Sequence, residues 1–178
     1  LYLTTGAYYK KMSWAKATKI LLYCTFFNLV GAVILAYLFN QSFSFLNLKD
    51  DSFVVTAATI KLGKSDWGNF IEGITANMFV NMAIMGYMLL KEESAKIFVA
   101  ISAIFMFVFL INEHLVANFA AFMLLAFNHA KENVETFTLM NILRQWTVVF
   151  FANWLGGGLF IGIAYAWLNQ TKTKHVEG

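Results

Sequence analysis

The chain contains no proline among its 178 residues. Any break in a helix must therefore come from glycine or from backbone groups solvated by polar side chains. The absence also removes the Asn-Pro-Ala signature, which excludes an ordinary aquaporin pore. Cysteine occurs once, as Cys24. A single cysteine rules out an internal disulfide and any Cys-x-x-Cys metal site. Inside an apolar run, a small core residue is its plain reading. Charged residues make up only 13% of the chain, and the net charge is +3. That balance argues against a nucleic-acid partner. No two histidines are placed for paired haem ligation, and no His/Asp/Glu cluster has metal spacing. A Walker loop and a nucleophile motif are also missing. Neither a cofactor nor enzyme chemistry is expected.

What is present is apolar. Hydrophobic residues make up 60% of the chain, mean hydropathy is +0.63, and phenylalanine occurs 19 times. Soluble domains lie nearer about 45–50% apolar. The composition predicts an all-α integral membrane protein, with one transmembrane domain over residues 1–178 and membrane lipid around it. Hydrophobic segments run over about 20–39, 70–90, 97–127 and 146–168, with polar connections at 40–69, 91–96 and 128–145. The chain opens in mid-pattern with Leu1-Tyr2-Leu3, which predicts a native N-terminus further upstream. No signal-peptide pattern is visible.

Cation placement predicts the orientation. Lys10, Lys11, Lys16 and Lys19 precede the first span, Lys91 and Lys96 follow the second, and Lys172 and Lys174 follow the fourth. These define a cytoplasmic side, and the C-terminus is expected there. On the other side, Lys49, Lys61, Lys64, Lys131 and Arg144 are offset by Asp50, Asp51, Asp66, Glu132 and Glu135.

The third segment is too long for one straight span, since about 20 residues cross the hydrocarbon. At its centre stands Asn112-Glu113-His114-Leu115. An acid and an imidazole at that depth are costly, and they are tolerated where a broken helix lines a cavity or substrate path. The segment therefore reads as two half-helices broken near 112–114. His114 titrates near neutral pH and can carry charge or hand over a proton. Its plainer reading is a histidine hydrogen-bonded between helices. Glu113 is expected to orient His114, bond freed amides or form a subunit contact, because a carboxylate in an anion path would repel the anion.

Other polar residues follow helical spacing. Asn118 is one turn beyond His114, and Asn77 and Asn81 are four apart. Asn28 and Asn153 open two copies of Asn-x-x-Gly, at 28–31 and 153–156. Three crossings separate the copies, so they run in opposite directions, as an inverted repeat would place them. Only one span of the first unit is visible, which predicts about two further spans before Leu1. Amides within membranes usually bridge helices, but one on each of four spans suggests an inward polar seam. Gly158 and Gly162 form a GxxxG spacing suited to close helix contact. Phe107 lies two turns before His114, on the same face. Lys61 and Lys64 precede the second span at the outer side, where cations raise local anion concentration. Lys64 reads as ordinary solvated charge. His129 and His175 lie in polar stretches and carry no signal.

Taken together these motifs resemble the formate/nitrite transporter family. Glu113-His114-x-x-Ala117-Asn118 is similar to its Glu-His-Ser-x-Ala-Asn motif in a broken fifth helix. The run from Asn153 through Gly156, Gly157 and Leu159 resembles its sixth helix, and Asn28-Leu29-Val30-Gly31-Ala32 its third. Gly73-Ile74-x-Ala76-Asn77-x-x-Val80 resembles the fourth, and counting back without a gap puts Lys61 on the family's vestibule lysine. The resemblance implies an aquaporin-like six-helix inverted-repeat fold, of which this chain shows about the C-terminal two thirds. It implies a homopentamer with one pore per protomer, in the cell membrane. It implies passage of small monovalent anions or their acids: formate, nitrite, hydrosulfide or short carboxylates such as lactate. By the same resemblance Lys61 attracts the anion, His114 supplies a proton or positive potential, and Phe107 belongs to an apolar constriction. Leu3, Thr4 and Thr5 would belong to the loop of the broken second helix. Asn112 stands where an aromatic is common and Leu115 where serine is common. A non-transporting membrane subunit, its polar seam serving assembly, is the alternative from another class.

Overall fold

The computed structural model describes residues 1–46 and 48–169. Lys172, Lys174 and His175 lie outside them. Among the described residues the regular elements are helical. A short α1 (Tyr2–Tyr8) turns through Lys10, at φ 57°, into α2 (Trp14–Phe39). Next come α3 (Phe43–Leu46), α4 (Phe53–Gly63) and α5 (Asp66–Leu89). The third hydrophobic segment forms α6 (Glu93–Phe109) and α7 (Leu115–Ala126), interrupted at residues 110–114. A 3₁₀ turn (His129–Asn133) leads to α8 (Leu139–Trp154), which continues through a π-helical stretch (Leu155–Ile163) into α9 (Ala164–Leu168). Trp14–Phe39 and Leu139–Leu168 are long and apolar enough to cross a membrane, with mean hydropathies of 2.1 and 1.7.

Several starts are written locally. Ser13, Ser65 and Thr138 accept hydrogen bonds from the amides of Lys16, Gly68 and Asn141, at 3.1, 3.1 and 3.2 Å. Each is a short polar side chain satisfying an orphan amide of the first turn.

The connection read as polar over 40–69 is not simply polar. It carries α4, whose Val55, Ala58 and Leu62 join Phe122, Leu125 and Ile142 in a buried cluster. The sequence pattern hides it because an 11-residue apolar helix sits between the charges Asp50, Asp51 and Lys64. Phe122 stacks on Trp146 with rings tilted by 15°, so α4, α7 and α8 share this core. A second cluster, Leu115, Phe119 and Val149 with Leu29 and Ala32 against it, seats α2 on α7 and α8.

Helix α5 is central, packing on α6, α8 and the π-helical stretch. Two glycines permit that approach. A Cβ at Gly73 would lie 2.6 Å from the Ala152 methyl, and one at Gly156 would collide with the Ile74 carbonyl. The expected small-residue contact also forms: Gly158 and Gly162 face Thr4 of α1.

Candidate functional site

The break between α6 and α7 contains neither glycine nor proline. Ile111 instead takes φ 49°, a left-handed conformation that costs a β-branched residue about 1–3 kcal/mol. Such a turn persists only where its surroundings hold it. Three successive carbonyls do not continue the helix, and each receives a side-chain donor. Lys64 Nζ donates to Ile111 O at 2.9 Å, Lys61 Nζ to Asn112 O at 3.1 Å, and Asn153 Nδ2 to Glu113 O at 2.9 Å. Asn153 also caps the new helix. Its Oδ1 accepts from Leu115 N at 2.9 Å, and its Nδ2 donates to Gly73 O at 2.8 Å. One amide from α8 thus ties together α5, the break and the start of α7.

Glu113 is fully buried and every partner it has donates. Lys64 Nζ meets Oε1 at 2.8 Å; Lys61 Nζ meets Oε2 at 3.3 Å. Asn118 Nδ2 and Gln145 Nε2 donate to Oε2 at 2.7 and 2.6 Å. Among the described residues all four of its partners are donors, two of them ammonium groups, the arrangement that makes charge-assisted hydrogen bonds strong. Lys64 also reaches Glu72 Oε2 at 2.5 Å, at the half-exposed edge of the cage.

His114 sits on extended backbone, φ −117° and ψ 121°. Consecutive side chains of extended backbone leave on opposite sides. Glu113 enters the cage, whereas His114 enters a cavity of about 170 Å³ shared with Leu21, Thr25, Asn77, Phe150 and Asn153. Among the described residues no group is hydrogen-bonded to its imidazole. The Phe107 ring lies beside it, centroids 5.7 Å apart, and is itself buried. Asn77 lines the cavity and donates to the Asn153 carbonyl; Asn81 in turn donates to Asn77 O.

Several expectations change. Lys64 is not solvated charge: its side chain is 17% exposed and pairs with two carboxylates. Lys61 is 7% exposed and turned into the cage. Asn118 joins the same cage rather than the cavity, because its amide is used by Glu113. Glu113 does not orient His114. Leu3, Thr4 and Thr5 are helical in α1, not in a loop. Thr5 Oγ1 donates across to Gly162 O of the π-helical stretch at 3.2 Å, and Thr4 Oγ1 donates back to Leu1 O at 2.7 Å, so both hydroxyls are satisfied. Asn28 is exposed and returns to its own helix, donating to Cys24 O at 2.8 Å, unlike its repeat counterpart Asn153. Gln145, which the sequence places in a polar connection, is 1% exposed. Its spacing of eight from Asn153, two helical turns, is the signal that marks it.

The fold is that of a solved FNT family ion channel, with a TM-score of 0.86 and 29% identity over 94% of this chain and 66% of that one. The family described as "Formate/nitrite transporter" matches residues 1–167. The chain belongs to the formate/nitrite transporter family, and is by that membership a membrane protein. It is 32% identical over 176 residues to nitrite transporter NirC of Escherichia coli (strain K12), covering 98% of this chain and 63% of NirC. It is 30% identical over 171 residues to transporter YwcJ of Bacillus subtilis (strain 168), covering 96% of this chain and 66% of YwcJ. The chain thus spans somewhat less than two thirds of the length of these relatives.

Proposed function

We propose that this protein moves small monovalent anions, or their conjugate acids, across the cell membrane by a path that passes His114. The observation that carries the reading is the division of labour at the break. Glu113 is removed into a cage of donors, while the neighbouring imidazole opens into a small cavity with two amides and an apolar ring behind it. Among the described residues, no carboxylate lines that cavity. Loss of its hydration costs several kcal/mol in order-of-magnitude terms, and protonation to the neutral acid removes most of that cost. His114 is the group positioned to supply the proton or the positive potential, with Phe107 as an apolar constriction and Asn77 as a polar contact. Lys61 contributes positive potential from within the cage.

Formate, nitrite, hydrosulfide and short carboxylates such as lactate are the candidate cargo. We further read the chain as part of a six-helix inverted-repeat protomer, with a pore in each subunit of a homopentamer and a cytoplasmic C-terminus. The Asn-x-x-Gly pair and the broken helix support the repeat. Liposome flux of formate, nitrite, hydrosulfide and lactate at two pH values tests the reading. Uptake of at least one above empty liposomes is expected, and uptake of none contradicts it.

A further inference from the structure

The cage beneath the break is electrically balanced, and the balance depends on one residue at its edge. Lys61 and Lys64 bring two positive charges, and buried Glu113 brings one negative charge. Glu72 supplies the second negative charge through Lys64, and its side chain is 33% exposed whereas that of Glu113 is 0% exposed. The buried carboxylate holds the break, since its partners also hold the carbonyls of Ile111 and Asn112. Glu72 holds none of that backbone. Its own helix is fixed independently by Asn153 at Gly73 and by the close packing of Gly73 on Ala152.

We propose that Glu72 sets the net charge of this cage, and thereby limits how readily an anion approaches the break. With Glu72 the four groups sum to zero; without it they sum to +1. The inference rests on the anion-transport reading and goes beyond it by assigning the control of entry to a residue that touches neither the His114 cavity nor the backbone of the break. The effect is electrostatic, so it follows charge rather than shape. A unit charge about 8 Å from an anion in a water-like dielectric changes its local concentration roughly two- to threefold. The change fades as salt shortens the Debye length to about 3 Å at 1 M.

The full-length protein in liposomes, with formate as the probe, decides it. Glu72→Asp keeps the cage neutral, Glu72→Gln makes it +1 and Glu72→Lys makes it +2. Initial uptake at low salt should rise in that order, roughly two- to threefold per step, and the three variants should converge at high salt. A leak through a damaged fold would persist at high salt, so a gain that salt removes is the diagnostic result. Uptake that is unchanged or slower in both the Gln and the Lys variant, or a rise that salt does not remove, overturns this inference while leaving the transport reading intact. A wild-type protein that carries no anion overturns the transport reading, and this inference with it.

Discussion

Asn153→Leu is the perturbation that most directly probes how the break is held. Leucine keeps the branching of asparagine but is bulkier, and its methyls cannot approach the three partners as closely as the amide does, so overpacking adds to the loss of polarity. Three hydrogen bonds disappear: Leu115 N to Oδ1, and Nδ2 to the carbonyls of Glu113 and Gly73. They are not equivalent. Gly73 lies inside α5, and its carbonyl keeps a helical donor. Leu115 N and Glu113 O flank the break, where no helix ladder replaces the lost partner. An orphaned buried group costs about 1–3 kcal/mol, so the loss should be about 2–6 kcal/mol. That is a large share of the roughly 5–15 kcal/mol that holds a typical protein folded. Asn153→Asp should be worse, because it keeps an acceptor for Leu115 N but turns a second oxygen towards two carbonyls. Unfolding by SDS titration in mixed micelles reads both. An Asn153→Leu protein within about 0.5 kcal/mol of wild type would refute the claim that this amide holds the break.

Glu113→Gln should leave two buried ammonium groups with one fewer countercharge and destabilise the protein by about 3–5 kcal/mol, measured in the same titration. Lys64→Met should be at least as damaging as Lys61→Met, because Lys64 makes the shorter contact to Glu113 and alone caps Ile111; a harmless Lys64→Met, by thermal unfolding, would put the lysine back in solvent. Gly156→Ala should disrupt the α5 contact, since its methyl has only the Ile74 backbone to meet, and a melting temperature equal to wild type would contradict that packing. Mass measurement of the full-length protein in mild detergent should return a pentamer, and a clean monomer or dimer would count against the assembly.

The sequence marks the break itself clearly. Glu113 and His114 are conspicuous because ionisable residues are rare in so apolar a run, and Asn153 because its amide recurs in the Asn-x-x-Gly repeat. Ser13, Ser65 and Thr138 announce helix starts through local chemistry. The cage was less legible. Lys64 and Gln145 look like surface charge and loop polarity, and only the folding of α4 and α8 around α7 brings them to Glu113. The length of α4 falls below what a hydropathy window registers, so its apolar face was lost among flanking acids. Asn28 misled for a related reason. A motif fixes residue type and spacing, but whether an amide faces a neighbour or its own helix depends on packing that the motif does not encode. The left-handed Ile111 had no local signal at all, since its conformation is held by Lys61 and Lys64 at the end of α4 and by Asn153 of α8, two distant stretches of chain.

The central claim is that His114 is the group an anion meets on its way through, and stopped-flow formate uptake with an internal pH dye tests it most directly. His114→Phe should remain folded and assembled, because its imidazole makes no hydrogen bond among the described residues. This variant should lose proton-linked uptake near neutral pH, while wild type acidifies the liposome interior as formate enters. A His114→Phe protein that carries formate together with a proton at the wild-type rate would contradict it.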